Sequence, residues 1–248
     1  MSKSVVAKKF ASALDTYNRS AVIQRKIAAQ IIQLMRKNGF PEKSTIYEVG
    51  AGTGILTKMI LDEFDPLKIA ANDLCIEAEE LLSAISDKIE FLHGDAETIS
   101  VPSYCSHVVS SSTVQWFSDL DQFIKLIAEG LGRDSYFVFS TFGPENLYEI
   151  RKITGLGLNY HSLAEHKMLL EKSGFAILHA SETTEKTTHT SMTDLLRHIR
   201  ETGVGGIGKT TPGAAATRRF CRKYEEQFAT QDGIVLTYHP MFFVCKLK

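Results

Sequence analysis

Three acidic residues in the first half of the chain stand where short apolar stretches end. Glu48 lies near the end of one stretch, Asp73 follows a second and Asp95 follows a third. A carboxylate near a cation in a poorly solvated cleft is strongly favourable, and an acid at the end of the second strand can accept hydrogen bonds from ribose hydroxyls. Because the carboxyl ends of parallel strands meet at one edge of a sheet, the three acids predict one ligand site there.

A glycine-rich turn follows the first apolar stretch, with Gly50, Gly52 and Gly54 before a helical pattern. Such a turn brings backbone close to a ligand, and the helix that follows presents free N–H groups. The Gly-x-Gly-x-x-Gly spacing of dinucleotide-binding folds would need another glycine at Ile55 or Thr57. The spacing therefore argues against a dehydrogenase.

The series Glu48-x-Gly50-x-Gly52-x-Gly54 resembles motif I of the class I S-adenosylmethionine (SAM)-dependent methyltransferases. The resemblance implies that Glu48 faces the cationic methionine part of SAM and that S-adenosylhomocysteine is the product. It also implies that Asp95 accepts a hydrogen bond from the adenine amine, beside a small residue that leaves room for the ring. The expected cofactor-binding residues are Glu48, Gly50, Gly52, Gly54, Asp73, Leu74, Asp95, Ala96 and Ser111. The alternatives are a surface turn for Asp73 and a helix N-cap for Asp95.

Three further segments narrow the resemblance. They are the N-terminal Phe10-Ala11-x-Ala13-x-x-x-Tyr17-x-x-x-Ala21-x-x-Gln24, Val114-Gln115-Trp116-Phe117, and the stretch from Phe139 to Ile150. Together they resemble the malonyl-[acyl-carrier protein] O-methyltransferase family of biotin synthesis. The resemblance implies methyl transfer from SAM to the free carboxylate of a malonyl thioester, with either an acyl-carrier protein or coenzyme A as the thioester carrier.

Within that resemblance the acceptor needs groups that hold a carboxylate without neutralising it. Arg200 is the expected ligand because a guanidinium grips a carboxylate in a fork, and Arg197, three residues earlier on the helix, is the second choice. The other acceptor-site candidates are Tyr17, Gln115, Trp116 and His189. Each has a simpler alternative: a solvated surface arginine, packing of a tyrosine or tryptophan, or a strand histidine with ordinary partners.

A carrier protein is typically acidic, so docking would need a local basic surface. The expected docking residues are Lys209, Arg218, Arg219 and Arg222, in a basic stretch that also contains Lys223. Arg218 and Arg222 fall on one side of a helix. The alternative is an ordinary solvated helix face.

The elements that must position these residues alternate between strand-like and helix-like stretches from residue 44 to residue 182. The alternation predicts an α/β, doubly wound, mostly parallel sheet of the Rossmann-like class, in a single domain spanning 1–248. Helices are expected over 1–40, with a break near Asn18. A helical lid is expected over 190–230, and a terminal strand or hairpin over 233–248 at the sheet edge.

Composition limits the remaining possibilities. The 248 residues are 44% hydrophobic and carry a formal net charge of −1, so no global charge favours nucleic acid or a membrane surface. We expect a cytoplasmic monomer, since no signal-peptide pattern occurs. The four cysteines lack metal-ligand spacing, so we expect no metal. A methyltransferase acting on another carboxylic acid or a quinone carbon, and a non-catalytic SAM-binding regulatory protein, remain alternatives.

Overall fold

A computed structural model of the chain describes residues 3–202 and 213–248. Its main sheet has the strand order β3-β2-β1-β4-β5-β10-β6, in which β10 alone runs antiparallel to its neighbours. The strands are β1 Thr45–Val49, β2 Lys68–Asp73, β3 Ile89–His93, β4 His107–Ser110, β5 Tyr136–Phe142, β6 Phe175–Glu182 and β10 Pro240–Leu247. This is the doubly wound, mostly parallel α/β architecture that the sequence predicts.

Helices cover both faces of the sheet, because apolar side chains alternate between two buried clusters along each central strand. On β5, Val138 faces one cluster and Phe137 and Phe139 face the other, where Phe139 stacks on Phe243 with ring centroids 4.7 Å apart. The helices are α1 Lys3–Ser20, α2 Val22–Lys37, α3 Ile55–Phe64, α4 Ala78–Ser83, α5 Leu120–Gly130, α6 Tyr148–Thr154, α7 Leu163–Lys172, α8 Met192–Glu201 and α9 Ala214–Phe228.

The last strand lies inside the sheet, so its predicted edge position is wrong. β10 pairs with β5 on one side and β6 on the other, leaving β6 at the edge. Consecutive buried residues from Met241 to Cys245 fill both faces. An unbroken apolar run is the pattern of a strand covered on both sides, whereas an edge strand is usually more polar.

A small second sheet accompanies the predicted lid helices. It pairs β7 Glu185–His189, β9 Gly233–Tyr238 and β8 Ala229–Thr230 in the order β7-β9-β8. The segment predicted as a helical lid is therefore accompanied by strands. At the N-terminus the chain breaks at Ala21, three residues after the predicted break at Asn18.

The segment after β5 joins the two sheets. Backbone N–H groups of Gly143 and Leu147 donate to the carbonyls of His239 and Thr237, and the buried Glu149 carboxylate accepts from both the backbone N–H and the hydroxyl of Thr237, at 3.0 and 2.5 Å. Part of the family-like stretch from Phe139 to Ile150 thus forms a joint between the main sheet and the second sheet. Along the described part of the chain, the helices are too short or too polar to cross a membrane.

Candidate functional site

A cavity opens at the carboxyl edge of the main sheet, where β1, β2, β3 and β4 end, and α1 covers it. The strand ends bring the three predicted acids, Glu48, Asp73 and Asp95, to its wall. Of the other predicted cofactor residues, Gly50, Gly52, Leu74, Ala96 and Ser111 also line it. The cavity lies at the edge where doubly wound folds bind ligands.

The glycine turn contributes to the cavity unevenly. Gly52 has φ +54° and nothing within 4 Å of where a Cβ would stand, so it leaves open space beside the backbone. Gly54 also has a positive φ, but a Cβ there would clash with Ile85 at 2.4 Å. Gly54 does not line the cavity. The positive φ of Gly54 and the close approach of the Ile85 side chain both favour glycine there, which differs from its predicted cofactor contact.

Glu48 is a buried carboxylate with an incomplete set of partners. Its side chain is 1% exposed, and its Oε2 has no hydrogen-bond partner within the described ranges. Burial raises the pKa of Glu48 to about 8, against the opposing effect of the Thr57 hydroxyl beside it, and the nearby charge of Asp73 adds to the rise. A buried acid that lacks a partner favours a cation placed against it.

Asp73 and Asp95 are held by backbone hydrogen bonds that fix their orientation. Asp73 accepts from the N–H groups of Gly52 and Cys75, both at 2.8 Å, and burial raises its pKa against the opposing effect of those bonds. Asp95 Oδ1 accepts from Glu97 N at 3.0 Å. Each carboxylate oxygen can accept a second bond, so both acids keep capacity for a ligand hydroxyl or amine.

Helix α1 presents one regular face to the cavity. Lys3, Ala7, Phe10, Leu14 and Tyr17 line it at alternating intervals of four and three residues, which is one side of an α-helix. The ring of Phe10 lies 6.0 Å from Tyr17, measured between centroids. Burial raises the pKa of the Tyr17 phenol well above its usual value, so the hydroxyl stays protonated.

The first residue of α1 forms an ion pair with the loop that follows β3. Lys3 Nζ lies 2.5 Å from Asp95 Oδ2 and also pairs with Glu97. Desolvation works against the charged amine, but the hydrogen bonds to the two carboxylates outweigh it and raise the pKa of Lys3. Asp95, which is predicted to bind the adenine amine, therefore already binds the ammonium of Lys3.

The two neighbours Gln115 and Trp116 have different surroundings. Trp116 is half-buried, lines the cavity and meets Phe10 edge-to-face with centroids 6.2 Å apart, so it does not belong to the core. Gln115 does not line the cavity. Its amide donates to the Ser112 carbonyl at 2.5 Å, and it accepts from the Thr141 hydroxyl at 3.5 Å. Gln115 thus holds the turn that carries Trp116.

The structure does not bring the predicted arginines of α8 to the cavity. Met192 and Leu195 on this helix are buried, which turns Arg197 and Arg200 toward solvent. Arg197 pairs with Asp194 at 2.5 Å. The predicted role of Arg200 stays a prediction.

His189 also lies away from the cavity, on β7. Its ring contacts the Thr187 hydroxyl at 3.1 Å and the Asp194 carboxylate at 3.6 Å, and burial lowers its pKa. These are the partners of an ordinary strand histidine. A neighbouring contact, from His198 Nε2 to the Tyr238 hydroxyl at 2.6 Å, ties α8 to β9.

The predicted basic surface lies on α9. Arg218, Arg219 and Arg222 are all exposed there, and Arg222 contacts Glu226 at 3.7 Å. Lys209 lies outside the described residues. The three arginines share a solvent-facing surface, which is compatible with docking and with simple solvation.

Several cavity residues were not singled out from the sequence as ligands, among them Lys3, Gln24 and Phe117. The alternating spacing of four and three from Lys3 to Tyr17 was the available signal for α1. Gln24 stood only within the family-like N-terminal segment. In the ranges that the structure covers, His, Cys, Asp and Glu side chains form no group of three suited to a metal.

The cavity suits SAM on its own geometry. Glu48 Oε2 has no hydrogen-bond partner among the described residues, so a cation placed against it is favourable. The sulfonium or the ammonium of SAM would supply that cation. Open space at Gly52 leaves the backbone accessible, and Asp73 and Asp95 have remaining acceptor capacity. Glu48, Gly52, Asp73 and Asp95 are therefore the residues that would hold it.

Comparison with known proteins supports this chemistry. Residues 47–139 match the family model described as "Methyltransferase domain". A malonyl-[acyl-carrier protein] O-methyltransferase from Bacteroides thetaiotaomicron is 36% identical, over 100% of this chain and 99% of that protein. One of the same name from Calditerrivibrio nitroreducens is 34% identical, over 92% and 90%.

Solved structures show the same fold at low sequence identity. Phosphoethanolamine N-methyltransferase 2 of Haemonchus contortus, solved with SAM, has a TM-score of 0.54 at 16% identity, covering 89% of this chain and 53% of that one. The [4+2]-cyclase SpnF has a TM-score of 0.59 at 14% identity, covering 90% and 80%. The fold therefore hosts more than one chemistry, and the acceptor must be argued from the site.

Proposed function

The chain belongs to the malonyl-[acyl-carrier protein] O-methyltransferase family of SAM-dependent methyltransferases, and from this membership we propose that it methylates the free carboxylate of a malonyl thioester. The proposal rests on similarity to relatives of that name along essentially the whole of both chains. The product would be a methyl ester whose masked charge lets it serve as a primer for the pimeloyl chain of biotin.

Carboxyl methylation places modest demands on the protein. When bound, SAM would supply an electrophilic methyl group on its sulfonium. The carboxylate oxygen would bond to that carbon as the carbon–sulfur bond breaks, with its electron pair leaving on sulfur. Because a carboxylate is already ionised near neutral pH, no general base is required. The chain must orient the two charges in line and keep water away from them.

The side of the cavity under α1 supplies groups suited to the acceptor. Tyr17 keeps its proton and can donate to a carboxylate oxygen, while Trp116 and Phe10 form an apolar wall. A neutral donor holds the carboxylate without forming an ion pair, which leaves the oxygen nucleophilic. Arg200, with Arg197 as its substitute, stays our prediction for a second ligand, although both lie on the exposed side of α8 and neither lines the cavity.

We propose acyl-carrier protein as the carrier, with the exposed arginines of α9 as its docking surface. Arg218, Arg219 and Arg222 present three guanidinium groups to solvent, where an acidic partner would reach them. Opposite charges across such an interface mainly raise the rate of association and fix orientation.

The test incubates the protein with methyl-labelled SAM and malonyl, succinyl or acetyl thioesters, each on acyl-carrier protein and on coenzyme A. We expect base-labile label on the malonyl carrier, little on the succinyl carrier, and none on the acetyl carrier, which lacks the carboxylate. Glu48→Gln should abolish transfer, whereas Glu145→Gln, a change at an exposed glutamate, should leave it intact.

Two outcomes would overturn the malonyl assignment, and a third would contradict the docking surface. Label on none of the thioesters, with SAM binding intact, would favour a regulatory SAM-binding protein. Equal label on malonyl and succinyl carriers would mean that the cavity does not select the short acid. Preference for malonyl-coenzyme A over the malonyl carrier would contradict the docking surface on α9.

A further inference from the structure

Gln24 is a buried polar residue on the cavity wall with an unused hydrogen-bonding atom. It lies in the first turn of α2, is 6% exposed and lines the cavity. Its Oε1 has no hydrogen-bond partner among the described residues. An amide oxygen shielded from water and left without a donor costs free energy, so its retention calls for an explanation.

The neighbouring polar groups do not provide the missing donor. Thr53, another residue of the cavity wall, already donates its hydroxyl to Asn18 Oδ1 at 2.6 Å. Ala28, one turn after Gln24 on α2, also lines the cavity, so this face of the helix is directed at the ligand space. A donor from the ligand itself would satisfy Gln24.

Two other side-chain atoms on this wall lack a hydrogen-bond partner among the described residues, the Ser112 hydroxyl and Glu48 Oε2. A hydroxyl can donate as well as accept, so Glu48 Oε2 is the one that, like Gln24 Oε1, needs a donor. Gln24 and Glu48 are both almost fully buried and come from different elements, α2 and β1, yet they line the same cavity as the glycine turn. Two acceptors without donors suit a group that carries several N–H donors and a positive charge. The amino-acid end of SAM has such a group in its ammonium.

We propose that the Gln24 carboxamide binds the amino-acid end of SAM, with Oε1 accepting a hydrogen bond from the α-ammonium. Gln24 thus shares with Glu48 the recognition of the methionine part, and Asp73 and Asp95 serve the nucleoside part. This role concerns SAM alone and holds for any methyl acceptor, so it stands or falls separately from the malonyl assignment.

The test measures binding of three ligands by titration calorimetry. S-adenosylhomocysteine has the full amino-acid end, S-adenosyl-3-thiopropylamine keeps the amine but lacks the carboxylate, and 5′-methylthioadenosine lacks both. For Gln24→Leu we expect the first two ligands to bind about 10- to 100-fold more weakly, the range for a lost hydrogen bond to a charged group. Binding of 5′-methylthioadenosine should be unchanged. Gln33→Leu, at an exposed position of the same helix, is the matched control.

Melting temperatures measured without ligand separate binding from folding. Gln24→Leu replaces an unpartnered polar atom by an apolar one, so the melting temperature should stay equal or rise. An equal loss for all three ligands, or a melting temperature lowered together with affinity, would overturn the proposal in favour of a structural role. Weaker binding of S-adenosylhomocysteine alone would assign Gln24 to the carboxylate and contradict the contact with the ammonium.

Discussion

Lys3 Nζ lies 2.5 Å from Asp95 Oδ2, so the first turn of α1 is joined to the loop after β3, 92 residues later in the chain. The same ammonium pairs with Glu97. Asp95 is the residue predicted to accept from the adenine amine, and Lys3 is the one cation among the described residues that line the cavity. The attachment of α1 and the predicted binding of the adenine amine therefore depend on the same carboxylate.

Sharing of Asp95 predicts the effect of Lys3→Met. Asp95 keeps a free acceptor position, but the adenine amine predicted to bind it and the Lys3 ammonium would compete for its negative charge. Loss of the ammonium should therefore tighten S-adenosylhomocysteine binding about two- to fivefold, as for a partly exposed ion pair worth ~0.4–1 kcal/mol. Titration calorimetry checks this, with Lys8→Met at an exposed position of α1 as the control. Weaker binding by Lys3→Met would contradict competition and indicate that Lys3 supports the closed site.

Burial of Glu48 predicts a pH dependence of SAM binding. Its pKa of about 8 in the free protein means that the carboxyl is largely protonated at neutral pH, while cationic SAM favours the ionised form. Binding should then release close to one proton, and affinity should rise up to about tenfold per pH unit between pH 5.5 and 7, below the α-amino pKa of about 7.7–8.0. Calorimetry in two buffers of different ionisation enthalpy measures the proton release.

In this measurement Glu48→Gln is the control. Its side chain cannot ionise, so any remaining SAM binding should release no proton. An affinity of the unaltered protein that stays flat over this pH range would show that Glu48 is already ionised before SAM binds.

The same residue predicts a conflict between stability and function. An acid whose pKa is raised from 4.5 to about 8 by folding keeps a proton that the unfolded chain loses, so its contribution to stability falls as pH rises through that window. Glu48→Gln should therefore raise the free energy of unfolding at pH 8.5 by about 1–3 kcal/mol and change it little at pH 4.5. Urea unfolding of both proteins at the two pH values tests this, and an equal difference at both would contradict it.

The joint between the two sheets predicts a purely structural effect. Glu149 accepts hydrogen bonds from the backbone N–H and the hydroxyl of Thr237. In Glu149→Gln one of the two carboxylate oxygens becomes an NH₂ group, which is a donor and would stand opposite these donors. We expect a loss of about 1–3 kcal/mol in unfolding free energy, measured by urea titration. Glu145→Gln changes an exposed carboxylate of the same segment and should be neutral. An unchanged unfolding free energy for Glu149→Gln would show that this contact does not stabilise the joint between the two sheets.

The sheet could be predicted from the sequence because its signals are local. β1, β3 and β6 each contain a short apolar stretch, at Thr45–Val49, Ile89–His93 and Phe175–Glu182. The position of β10 could not be found in this way, since pairing with both β5 and β6 is a matter of topology. The buried run from Met241 to Cys245 was the available hint.

Part of the candidate site could be predicted from the sequence for the same reason. Acids at strand ends converge by the geometry of a parallel sheet, and Glu48, Asp73 and Asp95 do meet at one cavity. The positions of Gln24 and Lys3 at the cavity depend on how α1 and α2 pack over that edge, which no local sequence pattern predicts. Gln115 was predicted at the site but does not line the cavity. It lies at the correct edge of the sheet, where its amide donates to the Ser112 carbonyl.

The exposed arginines of α9 predict a charge-dependent effect on the carrier. Reversal of Arg218, Arg219 and Arg222 to Glu should raise the KM for the malonyl carrier about tenfold at low salt and leave kcat and SAM affinity unchanged, because docking depends on charge and methyl transfer does not. The effect should shrink as salt screens the charges and should be absent with malonyl-coenzyme A. Reversal of the exposed cations Lys37, Lys58 and Arg133 makes the same change in net charge elsewhere and serves as the control. Steady-state kinetics measure both triple variants, and an equal rise in KM for the two would show that net charge, rather than the surface of α9, attracts the carrier.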